Sequence, residues 1–464
     1  MIRVFRNLYT IRNVFYIFTE GLFIYLSVIV ASWFLLGDEF NLSGTWLHVK
    51  SGLIALTCIL CLYYNSVYDI SLTKKYSELS IRLMQSFGTA LIILAAIYAV
   101  FQDMIICRGF FLLYLPIVML LISLWRFFYI LLLNKGIFNQ KIIVVGSGEI
   151  AQGIIETVKT EIDCGYTIVA SVFKPGRSEV EAKGSQSILN VEGLDKLYKT
   201  AKKTGADKII VAIKEKRGSF PTKELLKCRV EGFDVVDGNS FYEMLTGKLI
   251  VSHTNPAWFI FSEGFKKSYF KSLIKRIEDI FISLILLIIL LPIILIAAVL
   301  IKIESKGPVL YSQERLGKRK KPYMVHKFRS MGSDAEKESG PVWAKKNDMR
   351  VTRVGKFIRK WRVDEIPQLW NVLKGNMSMI GPRPEREFFV DQLEEIIPYY
   401  SERFSIKPGV TGWAQVCYGY GDSVDDAIEK LNYDLFYSKN MSVFFDIVII
   451  FRTVKTVLFG VGAR

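Results

Sequence analysis

The sequence predicts a chain of three parts: a membrane α-helical bundle, an α/β Rossmann-like module, and a mainly α-helical C-terminal domain built on a broken hydrophobic helix. Three observations carry this. Apolar residues make up 51% of the 464 and charged residues 22%, with a mean hydropathy of +0.30, which is too apolar for an ordinary soluble protein. Strands and helices alternate through the middle third. The basic surplus, 60 Lys plus Arg against 44 Asp plus Glu for a net +16, gathers beside a late hydrophobic run. The divisions fall at 1–139, 140–264 and 265–464.

Four apolar stretches lie at about 14–36, 47–64, 83–101 and 110–133. Each is long enough to cross a hydrocarbon core of ~30 Å at about 1.5 Å per residue. Arg3, Arg6 and Arg12 precede the first, Lys74, Lys75 and Arg82 lie between the second and third, and Lys135 and Lys141 follow the fourth. The first outer loop carries Asp38 and Glu39 instead. This bias predicts a cytoplasmic N-terminus and a cytoplasmic remainder. No small-residue cleavage site follows the first run, so it reads as an anchor. Arg126 is expected to snorkel, and no other charge is expected inside the spans to mark a transport pathway.

Cysteine and histidine exclude further classes. Cys58 and Cys61 fall inside an apolar run and read as packing residues. His48, His253 and His326 are too scattered for a metal cluster. A secreted disulfide framework and a His-rich metalloenzyme are both ruled out.

Residues 141–148 read as a buried strand ending in a glycine turn, followed by a helix through about Lys159. Further strands are expected at Tyr166–Phe173 and Lys208–Ile213, with a helical stretch Glu192–Thr204 between them. Gly146, Gly148 and Ala151 fit G-x-G-x-x-A, a turn that sets phosphates on a helix N-terminus. The second strand ends at Phe173-Lys174, without the acid that would hold a ribose hydroxyl. Tyr198 and Lys202 fit Tyr-x-x-x-Lys but come too early for a dehydrogenase pair. The module reads as a structural or regulatory sheet, with nucleotide binding as the alternative.

Residues 281–301 form a fifth apolar run, flanked by Lys266, Lys267, Lys271, Lys275 and Arg276 before it. Lys302, Lys306, Arg315, Lys318, Arg319, Lys320 and Lys321 follow it. Basic clusters on both sides favour the same face of the membrane. Pro292 lies mid-run, where it removes a helix donor and clashes with the preceding turn. Each half would be ~16 Å long, about half the bilayer core. The expectation is a re-entrant hairpin over about 270–303, braced by other segments. Residues 443–459 read as an interfacial helix.

The C-terminal third holds the chemistry-bearing motifs. They are Lys327-Phe328-Arg329-Ser330-Met331, Arg359 through Gly375 with Asp364-Glu365-Ile366-Pro367-Gln368-Leu369-Trp370-Asn371-Val372 at its centre, Gly381-Pro382-Arg383-Pro384, and Thr411-Gly412-Trp413-Ala414-Gln415-Val416. Asp364 and Glu365 are adjacent acids among Arg350, Arg353, Arg359, Arg362 and Arg383. Neighbouring cations keep a carboxylate ionised, as a nucleophile or a Mg²⁺ ligand requires. Arg forks suit phosphate oxygens. On residue types alone, a surface salt-bridge network fits equally well.

From about Tyr269 onward these motifs resemble the bacterial sugar transferases, the monotopic polyprenyl-phosphate hexose-1-phosphate transferases. The four-span N-terminus with its Rossmann-like module resembles their long form, and the ending Asp434 to Arg464 the exopolysaccharide branch. The resemblance implies a ping-pong reaction in the bacterial cytoplasmic (inner) membrane, with the catalytic domain on the cytoplasmic face. Asp364 matches the nucleophile that attacks a UDP-sugar, releasing UMP, and Glu365 its partner and Mg²⁺ ligand. Lys327, Arg329, Arg359 and Arg383 match phosphate-binding cations. Undecaprenyl phosphate then accepts the phosphosugar, which starts an exopolysaccharide or O-antigen. By analogy the family also implies a homodimer.

Two rival readings are carried. A membrane-bound nucleotide-sugar dehydratase or epimerase shares the layout but requires a fuller glycine fingerprint and a well-placed Tyr-x-x-x-Lys. A non-enzymatic lipid-binding scaffold would tolerate Asp364→Asn. Nucleic acid is not an expected partner, because the basic residues cluster beside the membrane segment. No residue selects the sugar.

Overall fold

The structure is a computed structural model. It describes residues 11–40, 44–68, 76–107, 109–134, 139–160, 164–173, 188–213, 220–251, 262, 264–265, 267–332, 350–419, 421 and 423–458. Arg3, Arg6, Lys74, Lys75, Lys135, His253 and Lys266 lie outside the described residues. The chain divides into two compact units, one running through Phe241 and the other from Tyr242 onward.

In the first unit, α1 (Ile11–Leu36), α2 (Thr45–Tyr64), α3 (Tyr76–Val100) and α4 (Phe110–Asn134) are each long and apolar enough to cross a membrane. They match the four expected runs closely. α1 packs on α2 and α4, and α2 on α3. Ile24, Val28, Ile54, Leu62, Leu83, Phe87, Leu94, Tyr114 and Ile122 fill the interior. Phe18, Trp33, Phe34, Ile92 and Leu112 point outward, as they must where lipid is the solvent. Cys58 and Cys61 are buried in this core.

Arg126 does not snorkel. It is 3% exposed, its Nε 2.6 Å from Glu20 Oε1 and its Nη2 donating to Glu20 Oε2 at 2.9 Å. Its Nη1 donates to the Val67 carbonyl, and its guanidinium lies over the rings of Tyr16 and Tyr68. The expectation failed because Glu20, one helix away, is itself an intramembrane charge. A paired cation is held inside the bundle where an unpaired one would seek the interface.

The rest of this unit is a five-stranded parallel sheet in the order β3-β2-β1-β4-β5. Its strands are β1 (Gln140–Val145), β2 (Tyr166–Phe173), β3 (Leu189–Glu192), β4 (Lys208–Val211) and β5 (Asp234–Asp237). Helices α5 (Glu149–Thr160), α6 (Leu197–Thr204) and α7 (Thr222–Val230) complete the Rossmann-like arrangement. The expected helix from Glu192 is corrected here: Glu192 ends edge strand β3, and the α-helix begins at Leu197. Four residues with one apolar face are too few to show strand periodicity. Helix α8 (Gly238–Thr246) follows β5.

In the second unit, α9 (Tyr269–Ile289) and α10 (Leu291–Glu304) bend by 62° at a break beside Pro292. Pro292 sits in the first turn of α10, where its missing N–H costs nothing. The two helices span the expected bounds of about 270–303, and the basic stretch Lys271–Arg276 is part of α9. Its side chains Ile277, Phe281, Leu284 and Ile288 are exposed, as are Leu295, Ile296 and Val299 of α10.

An antiparallel hairpin follows, β6 (Leu310–Leu316) paired with β7 (Pro322–Phe328). Then come α11 (Arg353–Lys360), α12 (Gln368–Lys374), β8 (Ser378–Ile380), α13 (Glu387–Ile396), β9 (Gly409–Thr411) and α14 (Trp413–Cys417). The unit closes with α15 (Val424–Asn440) and α16 (Val443–Leu458). Helix α16 buries Phe445, Val448 and Ile449 and exposes Ile447, Phe451 and Val454.

Residues Tyr242–Val251 pack in this second unit. Glu243 pairs with Lys439 at 2.7 Å, and the Val251 amide donates to the Asn432 side chain.

Candidate active site

Helix α11 begins with the Thr352 hydroxyl accepting the Gly355 amide at 2.9 Å. Its end is reversed by Arg362, a non-glycine residue at φ 58°, ψ 17°. Left-handed backbone at a side-chain-bearing residue costs about 1–2 kcal/mol and is held only where surrounding structure imposes it. The turn delivers Val363–Glu365 as a short 3-10 segment, and Pro367 starts the path into α12. Asp364 and Glu365 are both buried, each 9% exposed.

The cations arrive from three directions. Strand β7 brings Lys327, whose Nζ donates to Glu365 Oε1 at 3.1 Å. The Pro-flanked loop after β8 brings Arg383, whose Nη2 reaches the same oxygen at 3.1 Å. Arg362 faces Oε2 at 3.8 Å. Helix α11 holds Arg359 close enough to act on the Asp364 charge. Asn371 fixes the strand to the helix: its Nδ2 donates to the Met324 carbonyl at 2.7 Å and its Oδ1 accepts the His326 amide at 3.1 Å.

The two acids are driven apart in acidity. Burial, and then the Glu365 charge, push Asp364 up to about 6 against the pull of Lys327, Arg359 and Arg362. Burial would raise Glu365 too, but Lys327, Arg383 and Arg362 outweigh it and hold that carboxyl well below the usual range. Burial pushes Lys327 down, opposed by Glu365. Such a pair gives one permanently ionised carboxylate and one poised near neutrality.

Arg329 goes elsewhere. Its guanidinium donates to the Lys306 carbonyl at 2.9 Å and to the Ser305 carbonyl and hydroxyl, each at 2.8 Å. It therefore caps the end of α10, and β7 ends one residue before it. His326 points away from the acids, its Nδ1 2.9 Å from the Ser312 hydroxyl.

Two supports have no signal in the sequence. Arg403 and Asp434 form a buried pair at 2.9 Å, and Arg403 Nη2 also donates to the Arg383 carbonyl at 3.1 Å. Arg276 of α9 donates to the Val372 and Leu373 carbonyls, capping α12. Their partners are distant in sequence, so no local pattern reveals them.

Gly146 and Gly148 lie after β1. Gly146 has φ +125°, and a Cβ there would stand 2.4 Å from the Ala212 carbonyl oxygen, whereas a Cβ on Gly148 meets nothing within 4 Å. Backbone packing requires a glycine at the first position. Tyr198 is covered by Lys227, 4.4 Å above its ring.

The family model described as bacterial sugar transferase matches residues 270–460. The undecaprenyl-phosphate galactose phosphotransferase of Salmonella typhimurium is 32% identical over 352 residues, covering 72% of this chain and 71% of that protein. The chain belongs to the bacterial sugar transferase family. Within this sugar transferase, a second model, described as a CoA-binding domain, matches residues 63–219.

The exopolysaccharide production protein PSS of Rhizobium leguminosarum bv. phaseoli is 44% identical over 190 residues, 40% of this chain and 95% of that protein. The UDP-N-acetylgalactosamine-undecaprenyl-phosphate N-acetylgalactosaminephosphotransferase of Aeromonas hydrophila is 43% identical over 240 residues, 52% of this chain. The match spans 56% of the Aeromonas protein's length. The transferase is thus a membrane protein whose C-terminal unit carries the family match.

Proposed function

We propose that this sugar transferase moves a sugar-1-phosphate from a UDP-sugar to undecaprenyl phosphate at the cytoplasmic face of the inner membrane, and so initiates an exopolysaccharide or O-antigen chain. The observation that carries the reading is the division of labour at Asp364-Glu365. Glu365 is pinned by Lys327 and Arg383. Asp364 accepts no hydrogen bond among the described residues and keeps its carboxylate available.

The Asp364 carboxylate attacks the sugar-bearing phosphorus, UMP departs, and a covalent aspartyl phosphosugar remains. The lipid phosphate then attacks that phosphorus and frees Asp364. Lys327, Arg359 and Arg383 offset the charge on the phosphoryl oxygens. Both carboxylates are buried, where neighbouring charges act more strongly than in water.

The donor set fits Mg²⁺. Among the described residues there is no group of three or more metal-binding side chains, but Mg²⁺ commonly binds through one or two carboxylates plus substrate phosphates. Lys327 and Arg383 both take Oε1 of Glu365, while Oε2 has Arg362 at 3.8 Å. Glu365, with Asp364 beside it, would supply the protein's oxygens, and the ion would neutralise donor phosphate charge.

The bent pair α9–α10, apolar outside and basic at its base, supports a re-entrant hairpin that holds the site where a soluble donor and a lipid acceptor both reach it. A homodimer through the first unit completes the proposal.

The test is UMP release from UDP-glucose, UDP-galactose and UDP-N-acetylgalactosamine, with and without undecaprenyl phosphate and Mg²⁺. Lipid-dependent release by wild type, lost in Asp364→Asn, supports the reaction and names the sugar. Full activity in Asp364→Asn removes Asp364 as nucleophile.

A further inference from the structure

The hairpin β6–β7 carries a polar face that the reaction above leaves partly unused. Its antiparallel register pairs Tyr311 with Lys327, Gln313 with Val325 and Arg315 with Tyr323. Side chains alternate along a strand, so Tyr311, Gln313 and Arg315 share the face of Lys327. They are linked in series. Arg315 Nη2 donates to Gln313 Oε1 at 2.7 Å, and Gln313 Nε2 donates to the Tyr311 hydroxyl at 3.0 Å.

The other side of the Arg315 guanidinium meets the loop that bears Arg383. Its Nη1 is 3.4 Å from the Pro384 carbonyl and 3.7 Å from Glu385 Oε2. Arg315 and Arg383 are thus joined through one loop, Arg315 at the Pro384 carbonyl and Arg383 at Glu365 Oε1. The Arg315 side chain is 19% exposed. Burial, together with Arg386 and Arg383, works against its charge, and Glu385 opposes them. Arg315 and Arg383 likewise work against the charge of Lys327. Lys327, Arg315 and Arg383 are thus carried by one hairpin and the loop packed against it, each side chain partly buried. Glu365 serves two of them at 3.1 Å, and among the described residues the nearest carboxylate to the third is at 3.7 Å. A second anion beside the acid pair is what such an arrangement accommodates.

We propose that Arg315, oriented by Gln313, binds the second phosphate of the donor diphosphate, the one that leaves with the nucleoside. The assignment rests on the transfer reaction proposed above. As a carboxylate oxygen of Asp364 bonds to the sugar-bearing phosphorus, the bond from that phosphorus to the bridging oxygen breaks. Its electron pair stays on the bridging oxygen, which becomes a terminal oxygen of the nucleoside monophosphate. No proton or further reactant is needed. Arg315 meets the charge that develops there, while Lys327 and Arg383 remain with the phosphoryl group that stays.

The alternative is that Arg315 only clamps the Pro384–Glu385 loop. Calorimetric titration of the full-length protein with UMP and with uridine separates the two. Arg315→Gln is expected to weaken UMP binding by about tenfold or more, the usual worth of a charge-assisted contact, and to leave uridine binding unchanged. Arg315→Lys, which keeps the charge, retains part of the affinity and guards against misfolding as the cause. Glu385→Gln removes the ionic part of the clamp but neither the Pro384 contact nor the cation, and is expected to keep UMP binding. Equal UMP affinity in wild type and Arg315→Gln overturns the proposal. So does an equal loss in Glu385→Gln and Arg315→Gln. UMP binding that depends on Arg315, without UMP release from any UDP-sugar, supports the subsite and overturns the transfer reading. No UMP binding by wild type overturns both.

Discussion

The Asp279 carboxylate, on the helix α9, accepts the Ser378 hydroxyl at 2.9 Å and, through the same oxygen, the neighbouring Met379 amide at 2.9 Å. Lys275, one turn earlier, bridges Asp279 at 3.1 Å and Asp446 of α16 at 2.8 Å. Ser378 opens β8, and β8 runs directly into Gly381 and Arg383. Helix α9 therefore fixes the strand that aims a site cation, while Arg276 on the same helix caps α12 behind the acids.

Removing this anchor leaves Lys275 with one partner and two donors of β8 unsatisfied. Asp279→Ala is expected to cost roughly 3–5 kcal/mol, the range for breaking a buried charge pair. Asp279→Asn keeps an acceptor and costs less. Thermal unfolding in detergent orders the three proteins. Equal midpoints for wild type and Asp279→Ala would refute the anchor.

The acid pair predicts opposite effects of Asp364→Asn on activity and stability. Asp364 is raised to about 6 in the folded chain, against about 3.9 unfolded. The folded state thus holds the extra proton, and stability falls as pH rises from about 4 to about 6. Two pH units at about 1.4 kcal/mol each bound the effect near 3 kcal/mol. Asp364→Asn is expected to be inactive yet to melt above wild type at pH 7.5, with the gap closing toward pH 4. Activity of wild type is expected to rise through pH 6 as the nucleophile ionises.

Lys327 and Arg329 separate by function. Lys327→Met is expected to lower turnover by about a hundredfold or more, as for loss of a charge-stabilising donor. Arg329→Met uncaps α10 and is expected to lower the melting temperature while leaving the Michaelis constant for the donor unchanged. A large rise in that constant for Arg329→Met would return Arg329 to the substrate site.

Within the bundle, Glu20→Leu or Arg126→Leu alone strands a buried charge, at a cost of about 3 kcal/mol or more. The double replacement puts apolar side chains on both sides and is expected to recover most of the loss. A double-mutant cycle in detergent measures the coupling; additive losses would show that the two residues do not act as a pair.

Gly146→Ala tests the glycine turn. With the Ala212 carbonyl 2.4 Å from the new Cβ and φ in the left-handed region, the change is expected to destabilise the first unit by about 2 kcal/mol or more. Gly148→Ala, in open space, is expected to be tolerated. Limited proteolysis of the sheet module distinguishes the pair, and equal resistance in the two variants would refute the packing explanation.

Much of this was legible in the sequence because it is local. The four spans, the strand Tyr166–Phe173 and the break at Pro292 each follow from hydrophobicity, period or ring chemistry within one segment. Edge strand β3 was not, since Leu189–Glu192 offers four residues and no clear alternation. The Asp364-Glu365 pair was legible as chemistry, but its surroundings fitted a surface network equally well until burial was known.

The sequence by itself determined the membrane bundle, the alternating α/β module, the family motifs and the adjacency of the two acids. These depend on neighbours along the chain. Only the tertiary structure decided that Glu20 neutralises Arg126, that Lys327 reaches Glu365 while Arg329 turns to Ser305, and that Arg315 meets the Pro384–Glu385 loop. The physical reason is that charge is satisfied through space. A strand ending at Phe328 sends Lys327 and Arg329, two residues apart, to different partners, and no pattern of residue types fixes where such a strand must end.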